Sequence, residues 1–178
     1  MKLDLAAVEE TAKHLYIQAL KILPPDIKDG FKRLDATETD PTAKSILATM
    51  IKNIDVAEDT TNLLCQDTGI PIYNILIGRG VEVDGHALKE AIRKGCERAT
   101  TEHPLRSSVV HPITRVNEQT SCGIKVPVIT IDFTDKDEFF EMEMIPKGSG
   151  SENGSFLKMC IPAEGVAGIK TFVVDKVM

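Results

Sequence analysis

Cys65-Gln66-Asp67-Thr68-Gly69 sets a soft metal ligand, a neutral amide, a carboxylate, a hydroxyl and a glycine in five consecutive positions. A thiolate suits iron, and the three polar side chains beside it can donate to and accept from a small polar ligand. The cluster falls where a helical pattern gives way to a strand-like apolar run. At such a seam a side chain can point into a cleft instead of into a core. The expectation is that Cys65 binds iron and that Gln66, Asp67 and Thr68 line a pocket for a small hydroxy acid. Two other segments carry compatible chemistry. Arg106 offers a planar fork for a carboxylate. Pro146-Lys147-Gly148-Ser149-Gly150-Ser151-Glu152-Asn153 reads as a loop, in which Gly148 and Gly150 let backbone N–H groups converge on an anion. Together these residues suit a dicarboxylate. A nucleophilic role for Cys65 stays open, and so does a purely structural one, since a glycine pair is a weak signal and most cysteines outside disulfides simply pack.

Bulk properties bound the partners. The chain has 178 residues and a formal net charge of −6. That length fits one domain with a respectable core. The acidic balance offers no basic stripe for nucleic acid. The longest apolar runs fall far short of a membrane span, and the N-terminus does not read as an export signal. A cytoplasmic protein is expected. Cys65, Cys96, Cys122 and Cys160 include no close Cys-x-x-Cys pair, which excludes a zinc ribbon or thioredoxin-type motif.

The elements that must position these residues follow from periodicity. Asp4 to Leu23 reads as an amphipathic helix with Leu5, Val8, Ala12, Leu15, Ala19 and Ile22 on one face. Pro24-Pro25 stops it and starts a second helix through Phe31 and Leu34. Asp40-Pro41 caps a third, which ends near Asp59-Thr60. Ile70 to Ile77 is β-branched and aromatic, hence a strand, and Gly78 and Gly80 then turn the chain. A helix from about His86 to Thr101 puts Cys96 among packing residues. His103 ends that helix, where a cation is favoured. Lys125–Thr134 and Glu138–Ile145 read as a hairpin around Asp135-Lys136-Asp137, with glutamates on a solvated face. Cys160 falls in an apolar run suited to a core. The last helix starts at about Pro162, with Val166, Ile169, Phe172, Val173 and Val177 inward. The fold class expected is α+β: a helical N-terminal layer (1–62), then a small, largely antiparallel sheet packed with helices.

Four motifs in order carry a family resemblance. Cys65-Gln66-Asp67-Thr68-Gly69 resembles the first cluster-ligand motif of the class I (iron–sulfur) fumarate hydratases and L-tartrate dehydratases. Leu105-Arg106-Ser107-Ser108-Val109, Asn117-Glu118-Gln119-Thr120 ahead of Pro127-Val128-Ile129, and the Lys147–Asn153 segment resemble three further motifs. Ala163-Glu164-Gly165 followed by Phe172-Val173-Val174 also fits. The resemblance implies a hydro-lyase with a [4Fe–4S] cluster on three cysteines, whose open iron position acts as a Lewis acid on the leaving hydroxyl. It implies Cys65 as a cluster ligand, Gln66 and Asp67 in the substrate pocket, and Asp67 in proton transfer. It further implies Arg106 on one substrate carboxylate and the Gly148–Gly150 backbone at the other end.

The resemblance also sets limits. In the family the second and third ligand cysteines lie beyond the segment matching Phe172–Val177, and Cys122 and Cys160 do not occupy ligand positions. The expected organisation is therefore a single α-type, N-terminal domain over 1–178. It would be inactive alone, without a stable cluster, and would depend on a β-type subunit or C-terminal domain. The complete enzyme is expected to be a homo-oligomer. Cys65 is expected as a thiol near the surface of a cleft that another domain closes. A non-catalytic binding or assembly module that keeps the fold is the alternative.

Overall fold

A computed structural model describes residues 1–60, 62–65 and 68–177, with the backbone alone at Ser149. The elements are α1 (Leu5–Lys21), α2 (Pro25–Thr37), α3 (Pro41–Asp59), β1 (Ile70–Gly78), α4 (Gly85–Glu102), β2 (Val128–Thr134), β3 (Phe140–Lys147), α5 (Ser149–Asn153) and α6 (Gly165–Val177), with a 3₁₀ turn at Pro162–Glu164. The chain packs as two compact units, Met1–Gly148 and Ser149–Met178. It is an α+β protein, and its three-stranded sheet is mixed.

Local chemistry fixes the helix starts. The Asp4 carboxylate accepts from the N–H of Ala6 and Ala7, Asp40 from Ala43, and Asp84 from His86 and Ala87. Each carboxylate satisfies donors that the first turn leaves orphaned and sits at the positive end of the helix dipole. Those backbone bonds hold the Asp84 carboxyl below its ordinary range. Pro25 and Pro41 take first-turn positions, where the missing N–H costs nothing.

The core of the first unit lies between α1, α4 and one face of the sheet. Val8, Ala12, Tyr16 and Leu20 of α1 meet Leu88, Ala91, Ile92, Cys96 and Ala99 of α4, and Tyr73, Ile75 and Ile77 close the cluster from β1. At Gly95 a side chain would collide with the Glu9 carbonyl oxygen and the Ala12 methyl, so glycine permits the close approach of α1 and α4. The outer edge of this contact is polar: Arg98 bonds Glu9, Glu10 and Glu102 at 2.8–2.9 Å, and Lys13 bonds Glu102 at 2.8 Å. The α2 and α3 helices stand apart from that core. Lys28 of α2 pairs with Glu58 of α3 at 2.5 Å, no residue of α2 is buried, and only Ile54 and Ala57 of α3 are.

The expected hairpin does not form. The strand order is β2-β1-β3, with β1 parallel to β2 and antiparallel to β3. The reason lies in β1, whose alternate residues are the most deeply buried in the sheet. The most apolar strand takes the centre, where both of its backbone edges find partners. The β2–β3 connection must then cross one strand width on each side, roughly 10 Å in all, which five residues span easily. It does so over the end of β1, where the N–H groups of Gly78, Arg79 and Gly80 donate to the carbonyls of Phe139, Lys136 and Asp137 at 2.7, 2.9 and 3.2 Å. A side chain at Gly78 would strike the Asp137 carbonyl oxygen, so this glycine makes room for the crossing chain.

The second unit differs from expectation in three ways. The expected loop is instead the end of β3, which runs to Lys147, followed by the short helix α5. Cys160 is exposed, not buried in a core. Helix α6 forms where its periodicity predicts, but Val166, Ile169, Val173 and Val177 are all exposed, not inward. Within Ser149–Met178 no second layer among the described residues covers that stripe. Internal contacts of this unit include Lys158 to Glu164 at 3.6 Å and Lys176 over the Phe156 ring at 5.5 Å.

Candidate functional site

The site centres on Thr68 and Gly69, the two residues that join the cysteine loop to β1. Thr68 is fully buried. Its Oγ1 donates to the carbonyl oxygen of Arg106 and lies 3.2 Å from the Ser108 hydroxyl. Its own carbonyl accepts from the buried Tyr16 hydroxyl at 3.3 Å. Thr68 therefore does not line an open pocket, as the sequence suggested. It latches the loop to the Leu105–Val109 segment on one side and to α1 on the other.

Gly69 makes a second junction. Its φ is +73°, and a Cβ there would lie 2.6 Å from the Lys147 carbonyl carbon and 2.9 Å from the Gly148 nitrogen. Only glycine combines that backbone conformation with so close an approach. The end of β3, with Lys147 and Gly148, thus passes directly against the start of β1. Three motifs far apart in sequence meet within two residues: the cysteine loop, the Arg106 segment and the Lys147-Gly148 segment.

The Arg106 segment is itself braced. Leu105 and Ser107 are buried, whereas Arg106 between them is exposed, so the alternation turns the guanidinium outward from a fixed frame. Asn117 Nδ2 donates to the Ser107 carbonyl at 2.9 Å, and the Ser121 N–H donates to the Ser107 hydroxyl at 3.0 Å. Arg115, Gln119, Ser121 and Lys125 all hold positive φ between 55° and 61°. Such conformations cost non-glycine residues energy, so surrounding bonds must hold this segment in place. His111 makes a local turn, its Nδ1 accepting from the N–H of Thr114 at 3.1 Å.

Cys65 is exposed. The backbone just before it is held, since the Leu64 N–H donates to the Leu20 carbonyl at 3.0 Å and Asn53 Nδ2 donates to the Leu64 carbonyl at 2.8 Å. Gln66 and Asp67 lie outside the described residues. Gly148 is partly buried, and Gly150 is exposed in the other unit. Next to Leu64, a groove of about 390 Å³ is lined by Leu23, Phe31, Thr49, Met50, Asn53, Ile54 and Leu64. Its walls are too apolar for a dianion.

The donor set speaks to the cluster that the resemblance implies. Among the described residues no group of three or more cysteine, histidine or acidic side chains could hold a metal. Cys96 and Cys122 are committed to the core, and Cys160 belongs to the other unit. A three-cysteine cluster does not fit these residues alone, although an exposed thiol at Cys65 suits one ligand position. His103 also departs from expectation. It follows α4, but burial and the nearby Lys21 charge lower its pKa, so the cation expected at a helix end is disfavoured.

Sequence reading missed Tyr16. It lies on the same stripe as Val8, Ala12 and Leu20, and that strict i, i+4 series was the available signal. Burial pushes its pKa up to about 12, so the phenol stays protonated and donates to Thr68. Among the described residues no helix is long and apolar enough to cross a membrane.

Comparison with known proteins agrees with the motifs. The "Putative L(+)-tartrate dehydratase subunit alpha" of Methanocaldococcus jannaschii is 39% identical over 173 residues, covering 96% of this chain and 60% of that protein. The "L(+)-tartrate dehydratase subunit alpha" of Escherichia coli K12 is 30% identical over 155 residues, covering 87% of this chain and 51% of that protein. The chain thus spans between half and three-fifths of the length of these relatives. Residues 9–178 match the family described as fumarate hydratase (Fumerase), and this chain belongs to that family.

Proposed function

We propose that this chain is the N-terminal part of an α-type hydro-lyase subunit, acting in the reversible addition or removal of water on a small dicarboxylate such as fumarate/malate or tartrate/oxaloacetate. The observation that carries this reading is the junction at Thr68-Gly69, where the cysteine loop, the Arg106 segment and Lys147-Gly148 are pinned together. A dicarboxylate needs donors at both ends of a short molecule, and this junction supports such a pair. In this reading Arg106 binds one carboxylate and the backbone at Gly148 and Gly150 holds the other end. Gln66 and Asp67 contact the substrate, and Asp67 carries the proton to and from substrate carbon.

Cys65 supplies one thiolate to a [4Fe–4S] cluster whose remaining ligands come from the part of the subunit outside this chain. The isolated chain is therefore inactive. The same reading makes 1–178 a single α-type domain with a helical subregion at 1–62, partnered by a β-type subunit or C-terminal domain. The complete enzyme is a cytoplasmic homo-oligomer.

The test joins this chain to the remaining portion of a tartrate dehydratase alpha subunit, adds a beta subunit, and rebuilds the assembly anaerobically with iron and sulfide. Hydration of fumarate or dehydration of tartrate is the expected activity, and Cys65→Ala abolishes it. Arg106→Ala lowers kcat/KM by roughly 10- to 100-fold, the scale of a lost charge-assisted hydrogen bond of about 1.5–3 kcal/mol. A fully active Cys65→Ala enzyme would remove the ligand assignment.

A further inference from the structure

Two thiols in the core lie outside the proposed site and have no part in it. Cys96 on α4 is 0% exposed, and Cys122, in the segment between Arg106 and β2, is 7% exposed. Each sulfur points at the backbone beside the other cysteine. Cys96 Sγ donates to the Ser121 carbonyl at 3.8 Å, and Cys122 Sγ donates to the Arg93 carbonyl, one helical turn before Cys96, at 3.6 Å. Both sides of the pair are held in place. Arg93 Nη1 donates to the carbonyls of Gly123 and Val126 at 3.0 Å each, and the Ser121 N–H is bonded to the Ser107 hydroxyl.

The two sulfurs are not equivalent. The neighbouring Cys122 sulfur, and then burial, push the Cys96 thiol up, whereas the Cys96 sulfur and the Arg93 charge favour a thiolate at Cys122. A slightly open sulfur, with a fully buried second thiol directed at the adjoining Ser121 carbonyl, is the arrangement of an attacking and a resolving cysteine.

We propose that Cys96 and Cys122 are a modification site, a dithiol that a small hydroperoxide closes to an intrachain disulfide between α4 and the segment bracing Arg106. The Cys122 thiolate attacks one oxygen of hydrogen peroxide. The O–O bond breaks, the S–O bond of a sulfenic acid forms, and the other oxygen takes a proton and leaves as water. Cys96 Sγ then attacks the Cys122 sulfur. The S–S bond forms, the S–O bond breaks, and the hydroxyl leaves as a second water with the Cys96 proton. The two thiols lose two electrons and two hydrogens, and the peroxide is reduced to two waters.

The test uses the full chain carrying Cys65→Ser and Cys160→Ser, which removes the two exposed thiols. It is treated with hydrogen peroxide under native conditions, with circular dichroism to verify that it stays folded, and mapped by mass spectrometry without reduction. The expected product is lighter by two hydrogen atoms, yields a linked pair of peptides containing Cys96 and Cys122, and reverts with dithiothreitol. Adding Cys122→Ser, at the less buried of the two positions, eliminates the linked pair. Oxygen added to Cys122 with no linked peptide would overturn the proposal, as would a link that appears only after urea unfolding. The readout is covalent mass, so it stands whether or not the hydro-lyase reading does.

Discussion

Helices α1 and α6 both carry apolar stripes at helical spacing, yet only α1 buries its stripe. Val8, Ala12, Tyr16 and Leu20 are at most 6% exposed, whereas Val166, Ile169, Val173, Val174 and Val177 are at least 51% exposed. The difference does not come from propensity, since both segments form helices. It comes from what lies opposite. Helix α1 meets α4 and the inner face of the sheet, and Tyr73 donates to the Ala12 carbonyl at 3.0 Å to fix the contact. Helix α6 belongs to a small unit with no second layer of its own among the described residues. A stripe shows which residues share a face, and burial then depends on a facing element.

Three measurements test this contrast. The largest effect is expected at Tyr16→Ala, which opens a cavity between α1, α4 and β1 and leaves the Thr68 carbonyl without its donor. A loss of about 3–5 kcal/mol is expected from urea denaturation, the range for removing a buried aromatic ring. A loss under about 1 kcal/mol would mean that α1 is not seated in the core as described.

An intermediate effect concerns the polar edge of the α1–α4 contact. Hydrogen bonds from Arg98 and Lys13 hold the Glu102 carboxyl down to about 2, from an ordinary value of 4.5. A carboxyl whose folded pKa is depressed stabilises the fold fully above its unfolded value, and that contribution is lost as the pH falls from about 4.5 through about 2. Glu102 is well exposed, so solvent screens the effect. The urea midpoint of the native chain should fall across that window more than that of Glu102→Gln. Parallel curves for the two proteins would show that this carboxylate does not couple α1 to α4.

The smallest effect is expected at Val173→Ala on α6. It should change stability by no more than about 0.5 kcal/mol, the usual range for an exposed position away from other features. The same substitution in this chain joined to the remaining portion of a tartrate dehydratase alpha subunit is the sharper experiment. A larger loss there would show that the added portion covers the stripe.

The motifs also differed in how far they could be read. Cys65, Arg106 and the Lys147-Gly148 segment were legible as chemistry because their residue types are unusual together. Their meeting point was not, because it depends on Thr68 reaching the Arg106 carbonyl and on Gly69 admitting the Lys147 backbone. Such backbone contacts leave no pattern in side-chain periodicity. Cys96 was legible as core from its helix face. Cys122, in an irregular segment, gave no sign that its sulfur would reach the α4 backbone at Arg93.

Local sequence was enough to set the starts of α1, α3 and α4 and to make Ile70–Gly78 a strand, since these rest on interactions a few residues apart. Tertiary structure alone decided that β2 and β3 flank β1 instead of pairing, that Gly78 lies beneath a crossing chain, and that α6 keeps its apolar stripe in solvent. Those outcomes depend on competition among elements for one core. A strand carries no local mark of which neighbour it will pair with, and a helix carries none of whether a partner will arrive.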